Sequence, residues 1–486
     1  MVRGAGRIPA IEDARLRRVA LCLLLGACAR SLPASDFALA PDIRATAESL
    51  RERASSGSEA TRWVRELTDR VGPRLAGSPG DAAAVAWALA TLKAQGFARV
   101  RAEKVLAHVW KRGAESGEIT APYRQPLALT ALGGSVATPA GGLEAEVLEV
   151  ASLEALDAKG EAARGKIVFF NKKMERGGDF SGYGRAVDVR GAGPSRAAKY
   201  GAAGVLIRSI GTDHNRTPHT GALKYEEALP KIPAAALAIP DAELLERLVR
   251  EGKPVRVRFI LTCRSEADTE SANVIGEIPG REKPEEIVLL GAHLDSWDLG
   301  TGAIDDGTGC AIVLEAARLI GHLPRRPRRT IRVVLFANEE NGLAGARAYG
   351  DAHQSELARH VAAFESDSGT GRPTGLSWNA GPSAEPLVAE IAAILAPVGA
   401  GQATGGASGG ADLSPLRPAG IPLFALGQDS SRYFDYHHTA NDTFDKVDPP
   451  SLDANVAAVA AFAYVAAEIP HPFEKIPEAA RKTPGS

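Results

Sequence analysis

The stretch Gly291–Gly309, GAHLDSWDLGTGAIDDGTG, decides how this chain is read. It follows Ile287-Val288-Leu289-Leu290, an unbroken apolar run that reads as a strand buried on both faces of a parallel sheet. His293, Asp295, Asp298, Asp305 and Asp306 therefore fall at or just past the C-terminal end of that strand, where open α/β sheets build their sites. A single histidine there means little, since imidazole is often half buried and hydrogen-bonded for structural reasons. Its company decides the matter.

Beyond Asn273 the chain alternates strand and helix in the manner of a doubly wound α/β sheet. A helix is expected over Gly309–Ile320, then the buried strand Thr330–Ala337, which ends in Asn338-Glu339-Glu340-Asn341-Gly342. Val361–Phe364 is a short strand ending in Glu365-Ser366-Asp367, and Ile421–Leu426 is another, followed by the run from Tyr433 through His437-His438-Thr439 to Thr443. A parallel sheet brings these strand ends to one edge, so their acids and histidines converge. Two histidines with three or four carboxylates and no sulfur suit divalent zinc, cobalt or manganese. The set is large enough for two ions ~3.5 to 4 Å apart with one bridging ligand. Adjacent glutamates at a strand end point in different directions, so one can ligate while its neighbour holds a water.

The 486 residues carry 45% hydrophobic and 24% charged side chains, enough for two or three cores of an ordinary globular protein. A formal net charge of -2 leaves no electrostatic footprint for nucleic acid, and Arg325–Arg329 reads as a solvated loop. Residues 1–28 read as an export leader: Arg15, Arg17 and Arg18 precede the apolar run Val19–Leu25, too short to span a bilayer. Leu25-Gly26-Ala27-Cys28 resembles a bacterial lipobox, with lipidation at Cys28; a plain secretory signal is the alternative. Either puts the chain outside the cytoplasm, as a periplasmic or outer-membrane lipoprotein in a bacterium and secreted otherwise. Beyond the leader, Cys263 and Cys310 are too few for a disulfide framework and read as small buried hydrophobes.

Residues 29–131 read as the N-terminal part of the catalytic layer, with helices over Ala47–Leu67 and Ala82–Gln95 and a half-exposed strand over Val100–Trp110. Residues 132–262 change texture to short strands and Gly/Pro turns, resembling the β-rich protease-associated insert of exported peptidases. Its His214 and His219 lie in a polar loop and are expected at exposed or rim positions. Residues 263–470 form the catalytic domain and 471–486 a tail. The Gly-rich run Gly399–Ala411 lacks a Gly-Lys-Ser/Thr ending and is no phosphate loop; by composition it is a flexible linker.

His-x-Asp, Asp-Asp-Gly, Glu-Glu-Asn-Gly, Asp-Ser-Gly and His-Thr-x-x-Asp-Thr, in that order, resemble the M28 family of dinuclear zinc aminopeptidases and carboxypeptidases, over roughly residues 40–470. That resemblance implies a zinc-exopeptidase fold with an inserted domain and two Zn2+ per chain. His293 and Asp367 would bind one ion, Glu340 and His438 the other, and Asp305 would bridge. Glu339 would be the general base, and the Asp295 side chain would hold the free nitrogen of His293. His437 would be a pocket wall. The Gly-rich run would face substrate, with Asp412 near its ammonium group; Tyr433 and Tyr436 are both candidates for an oxyanion donor by location. The resemblance also implies a cis Asp305–Asp306 bond, a homodimer, and hydrolysis of short peptides or dipeptides with a free N-terminus. A single-zinc glutaminyl cyclase and a non-catalytic binding or receptor protein on the same fold are the rival readings.

Overall fold

Unbroken apolar runs along the central strands explain why the molecule forms two large sheets with an apolar layer on each face. The computed structural model describes residues 39–481; the leader expected over residues 1–28, with Cys28, lies outside them. The larger sheet has eight strands in the spatial order Ala98–Ala107, Thr269–Ile278, Arg329–Phe336, Lys283–His293, His360–Glu365, Leu423–Gln428, Pro373–Asn379, Ala403–Gly405. Its four central strands run parallel, and both edges are mixed. Strand Lys283–His293 lies between the two strands that follow it in the chain, which makes its C-terminal end a topological switch point.

Along that strand Val288, Leu290 and Ala292 face one layer while Ile287 and Leu289 face the other. The first layer is helical, built from Pro41–Ser55, Thr308–Gly321 and Pro449–Glu468 packed on one another. Pro449–Glu468 is long and apolar enough to cross a membrane, but 83% of its apolar window is buried inside the protein. The helix expected over Ala47–Leu67 is two, Pro41–Ser55 and Ala60–Glu66, because Gly57 (φ +128°) takes a conformation outside the helical region.

The second sheet runs Gln125–Leu127, Glu115–Ala121, Arg256–Leu261, Leu143–Val150, Ile167–Phe170, Gly204–Arg208, Ala234–Leu237, Leu129–Ala131. Three of its strands precede residue 132, so the layer starts earlier than the change of composition suggests. The paired strands Trp110–Lys111 and Arg264–Ser265 mark where the chain enters and leaves it. Apolar clusters cover both faces, with Phe169 and Leu206 on one side and Phe170 and Ile207 on the other. Trp297 reaches out of the loop after strand Lys283–His293 into the first of these clusters.

The far face of the larger sheet holds a buried polar chain. Arg332 Nη1 donates to the Tyr349 hydroxyl at 2.9 Å, which donates to His360 Nε2 at 2.8 Å. Burial holds His360 down at about 4, so its Nε2 is free to accept. Tyr349→Phe strands an arginine donor and an imidazole acceptor away from water. It is expected to lower unfolding free energy by about 1 to 3 kcal/mol with activity unchanged, as measured by urea titration beside a turnover assay.

Candidate metal centre

The loop after strand Lys283–His293 is shaped from a distance by Arg74, a side chain with no solvent exposure. Its guanidinium donates to the carbonyls of Leu294 at 2.5 Å, Thr301 at 2.7 Å and Gly302 at 2.8 Å, drawing both ends of the loop together. Asp442 works from the other side: it accepts from the backbone N–H of Ile304 at 2.6 Å and of Asp305 at 3.2 Å. Asp306 turns inward and accepts from the N–H of His293 and of Gly309. At Gly309 a Cβ would lie 2.1 Å from the Ser366 carbonyl oxygen, so this position admits only glycine. The Asp305–Asp306 peptide bond is cis.

These restraints leave the Asp305 carboxylate facing two histidines. Its Oδ1 is 3.1 Å from His293 Nε2, and its Oδ2 is 3.4 Å from His438 Nε2. Asp367 Oδ1 lies 3.6 Å from His293 Nε2, and Glu340 Oε2 lies 3.0 Å from His438 Nε2. All five side chains named from the sequence as ligands thus come together. Cation-sized groups recur around them: Asp305 with His437 and His438, His293 with Asp305 and Glu340, and His293 with Asp306 and Asp367. His437 is also close, its Nε2 3.7 Å from Asp305 and its ring stacked on His438 at 3.5 Å. The two histidines differ in their other nitrogen. His438 Nδ1 faces the Thr220 carbonyl at 3.3 Å, as a ligating imidazole needs, whereas His437 Nδ1 is buried without a partner. His437 therefore fits a wall better than a ligand.

The donor set suits divalent cations on electrostatic grounds. Asp295, Asp305, Asp306, Glu340, Glu365, Asp412 and Asp442 are all buried here, with Glu339 and Asp367 half buried beside them. Burial first, and the neighbouring carboxylates second, push Glu339 and Glu365 up to about 8 and Asp442 to about 7. Burial alone would lower His293, but the Asp305 and Asp367 carboxylates facing its ring override it and hold it well above the usual range. Burial keeps His437 and His438 well below theirs, in the neutral form that can ligate. Divalent ions would relieve this repulsion, and the residues present fit them.

Several expectations need correction. The Asp295 carboxylate does not hold His293: it is 3.9 Å from Nδ1, and the Asp295 backbone carbonyl takes that place at 3.1 Å. The carboxylate is instead occupied by the amides of Glu339 and Glu340, at 3.0 and 3.4 Å, and so fixes the end of the neighbouring strand. Asp412 has no solvent exposure and both its oxygens lack partners. The acids that line the adjacent cavity of about 500 Å³ are Glu365 and Asp367, together with Phe180, Ala411 and Leu426. The Gly-rich run is no free linker, since Ala403–Gly405 pairs into the sheet and Gly410 (φ +105°) rides directly on the Glu365 carboxyl. Tyr433 packs against Gly369, and Asp305 and Asp367 add to burial in raising its phenol well above the usual range. The Tyr436 hydroxyl is taken by Arg432 at 2.6 Å, and both tyrosines line a second cavity of about 400 Å³. Asp298 points away and is held by Arg112.

His214 is exposed as expected, paired with Glu243 at 3.0 Å, but His219 is almost wholly buried. It belongs to a set that sequence reasoning missed, in which loop Gly211–Gly221 of the second sheet forms one wall of the centre. Arg190 is a second member. It is 8% exposed, it donates to the Tyr183 hydroxyl at 2.6 Å, and its Nε and Nη1 have no partner. Nothing in the local sequence marks these residues, because each meets the centre only through tertiary contact.

The description "Peptidase family M28" fits residues 273–463. The carboxypeptidase Q of Mus musculus is 37% identical over 403 residues, 83% of this chain and 84% of that protein. The crystal structure of a peptidase M28 precursor from Shewanella amazonensis SB2B superposes with a TM-score of 0.88 at 46% identity, covering 90% of this chain and 99% of that one. A zinc aminopeptidase from Bacillus subtilis shares the fold at 22% identity, with a TM-score of 0.62 over 86% of this chain and 98% of its own.

The carboxylate cluster has a consequence for stability. Glu339 and Glu365 keep their protons to about 8 when folded, whereas an unfolded glutamate loses its proton near ~4.3. Between those values the folded state binds more protons, so unfolding free energy falls as pH rises. The melting temperature of metal-free protein is expected to drop from pH 5 to pH 8, and saturating zinc to remove most of the drop; differential scanning fluorimetry across that range checks it.

Proposed function

The chain belongs to peptidase family M28, and from that premise we propose that it is a zinc-dependent exopeptidase that hydrolyses dipeptides and other short peptides with a free N-terminus. The observation that carries the reading is the Asp305 carboxylate, one oxygen facing His293 and the other His438. That arrangement supports two metal positions bridged by Asp305, one completed by His293 and Asp367 and the other by Glu340 and His438. It favours hydrolysis over a single-zinc cyclase, and a purely binding protein has no need of Glu339. When bound, a pair of divalent ions supplies Lewis acidity toward the scissile carbonyl and lowers the pKa of water.

The chain's own residues would do the rest. Glu339, held protonated to about 8 by burial and its neighbouring carboxylates, would be freed of that proton by bound cations, and would then accept a proton from the attacking water and return it to the leaving amine. Tyr433, packed against the cluster, is the better placed of the two tyrosines to donate to the developing oxyanion. Glu365 offers a carboxylate to a substrate ammonium in the larger cavity. Arg190 supports recognition of the other end. Its guanidinium packs over Gly221, next to the Thr220 that meets His438, and its partner Tyr183 lies edge-on to His437 at 5.2 Å. A buried guanidinium with two idle nitrogens is costly unless a ligand pairs with it, and a peptide carboxylate matches it bidentately. The reading extends to the second sheet as a protease-associated insert, to export through the N-terminal leader with lipidation at Cys28, and to a homodimer.

Digestion of a peptide library, read by mass spectrometry with zinc and with chelator, tests the reaction. Single residues released from short peptides only when zinc is present support it; cleavage at internal bonds, or none, contradicts it. Glu339→Gln is expected to lower turnover by at least ~10² to 10⁴ while metal analysis finds wild-type occupancy. Arg190→Met is expected to cost about 10- to 100-fold in kcat/KM on peptides with a free C-terminus. The same substitution should cost little on their C-terminal amides, as paired substrate assays will reveal.

A further inference from the structure

The two metal positions proposed above differ in what holds their histidines. His293 is fixed from within its own sheet, through the Asp295 carbonyl. His438 sits in a turn where its own φ is +61°, a conformation that a non-glycine residue keeps only when its surroundings impose it. Those surroundings come from the second sheet. The Thr220 N–H donates to the His438 carbonyl at 2.9 Å, and the Thr220 carbonyl accepts from His438 Nδ1. One residue earlier, His219 Nδ1 donates to the His437 carbonyl at 2.8 Å, while its Nε2 meets Asp213 Oδ1 at 2.7 Å.

The clamp is built for rigidity. His219 and Thr220 are each 1% exposed. The imidazole of His219 lies so close to Gly211 that a Cβ there would be 2.2 Å from its Cε1. The His219 N–H is held by Ser209 Oγ at 2.8 Å, and Asp213 is steadied by the Asn215 N–H at 2.9 Å and the Thr217 hydroxyl at 3.2 Å. Burial alone would raise Asp213, but His219 and these donors hold it below the usual carboxylate range, so it remains a charged anchor.

We propose that His219, backed by Asp213, is a positioning residue for the His438 metal position: it clamps the His437–His438 turn so that Thr220 fixes the Nδ1–H tautomer and Nε2 is presented beside Glu340. The inserted layer is then part of one metal position and not of the other. This rests on the dinuclear reading above, and the test separates the two.

The experiment is a zinc titration of metal-free full-length protein against a competing chelator, beside nitrogen NMR of histidine-labelled metal-free protein. Wild type is expected to show two sites and His438 in one tautomer. His219→Ala should weaken one site by about 10- to 100-fold and leave the other unchanged, with His438 divided between tautomers. His219→Gln, which keeps an N–H donor, should recover most of the affinity. Asp213→Asn should produce a smaller loss at the same site, and it carries the test if His219→Ala does not fold. Two wild-type affinities in both variants, or equal weakening of both sites, overturn the proposal. A wild type with one site overturns the dinuclear reading; the clamp then stands if His219→Ala weakens that site and falls if it does not.

Discussion

Mutual repulsion among carboxylates gathered at one sheet edge is the constraint on which this structure depends. Asp295, Asp305, Asp306, Glu340, Glu365, Asp412 and Asp442 lie out of water within one region, and unpaired buried charge is among the costliest things a fold can contain. Three devices make it tolerable. Backbone amides cap individual carboxylates, as Glu339 and Glu340 do for Asp295 and as Asp412 and Leu413 do for Glu365. Arg74 brings a buried positive charge to the loop beneath. The remainder of the repulsion is what divalent cations would offset, and the same charge density that disfavours the metal-free state favours their binding.

The site is shared between two layers, and the sharing is specific. Trp297 leaves the loop that carries Asp305 to join the apolar cluster of the second sheet. Arg112, at the entrance to that sheet, holds Asp298 and also donates to the Ala131 carbonyl at 2.6 Å. Arg176 holds Asp435, on the turn that carries His438. The second sheet therefore helps to hold the turn that carries His438.

Much of this was legible from sequence because the candidate ligands sit at strand ends or in the loops after them, where apolar runs announce the strands, and because their motifs resemble those of the M28 family. His293, Asp305, Glu340, Asp367 and His438 all converge for that reason. Residues that act through distant contacts left no such trace. Arg74 lies in a Gly-Pro-Arg turn more than two hundred positions from the loop it gathers, and His219 sits in a polar loop with no periodicity. The error at Asp295 is of another kind: residue type and spacing were right, but whether carbonyl or carboxylate meets His293 depends on which backbone amides the neighbouring strand presents. Composition also misplaced the start of the second sheet, because its first strands resemble the half-exposed strand that precedes them.

On the reading proposed above, the carboxylate cluster would hold a pair of divalent ions with Asp305 between them. Crystal diffraction recorded on both sides of the zinc absorption edge, from protein purified with zinc and without chelator, measures this directly. The account predicts two anomalous peaks per chain ~3.5 to 4 Å apart, one beside His293 and Asp367, the other beside Glu340 and His438, with Asp305 between them. A single peak at full zinc saturation, or two peaks with Asp305 bound to only one of them, would contradict it.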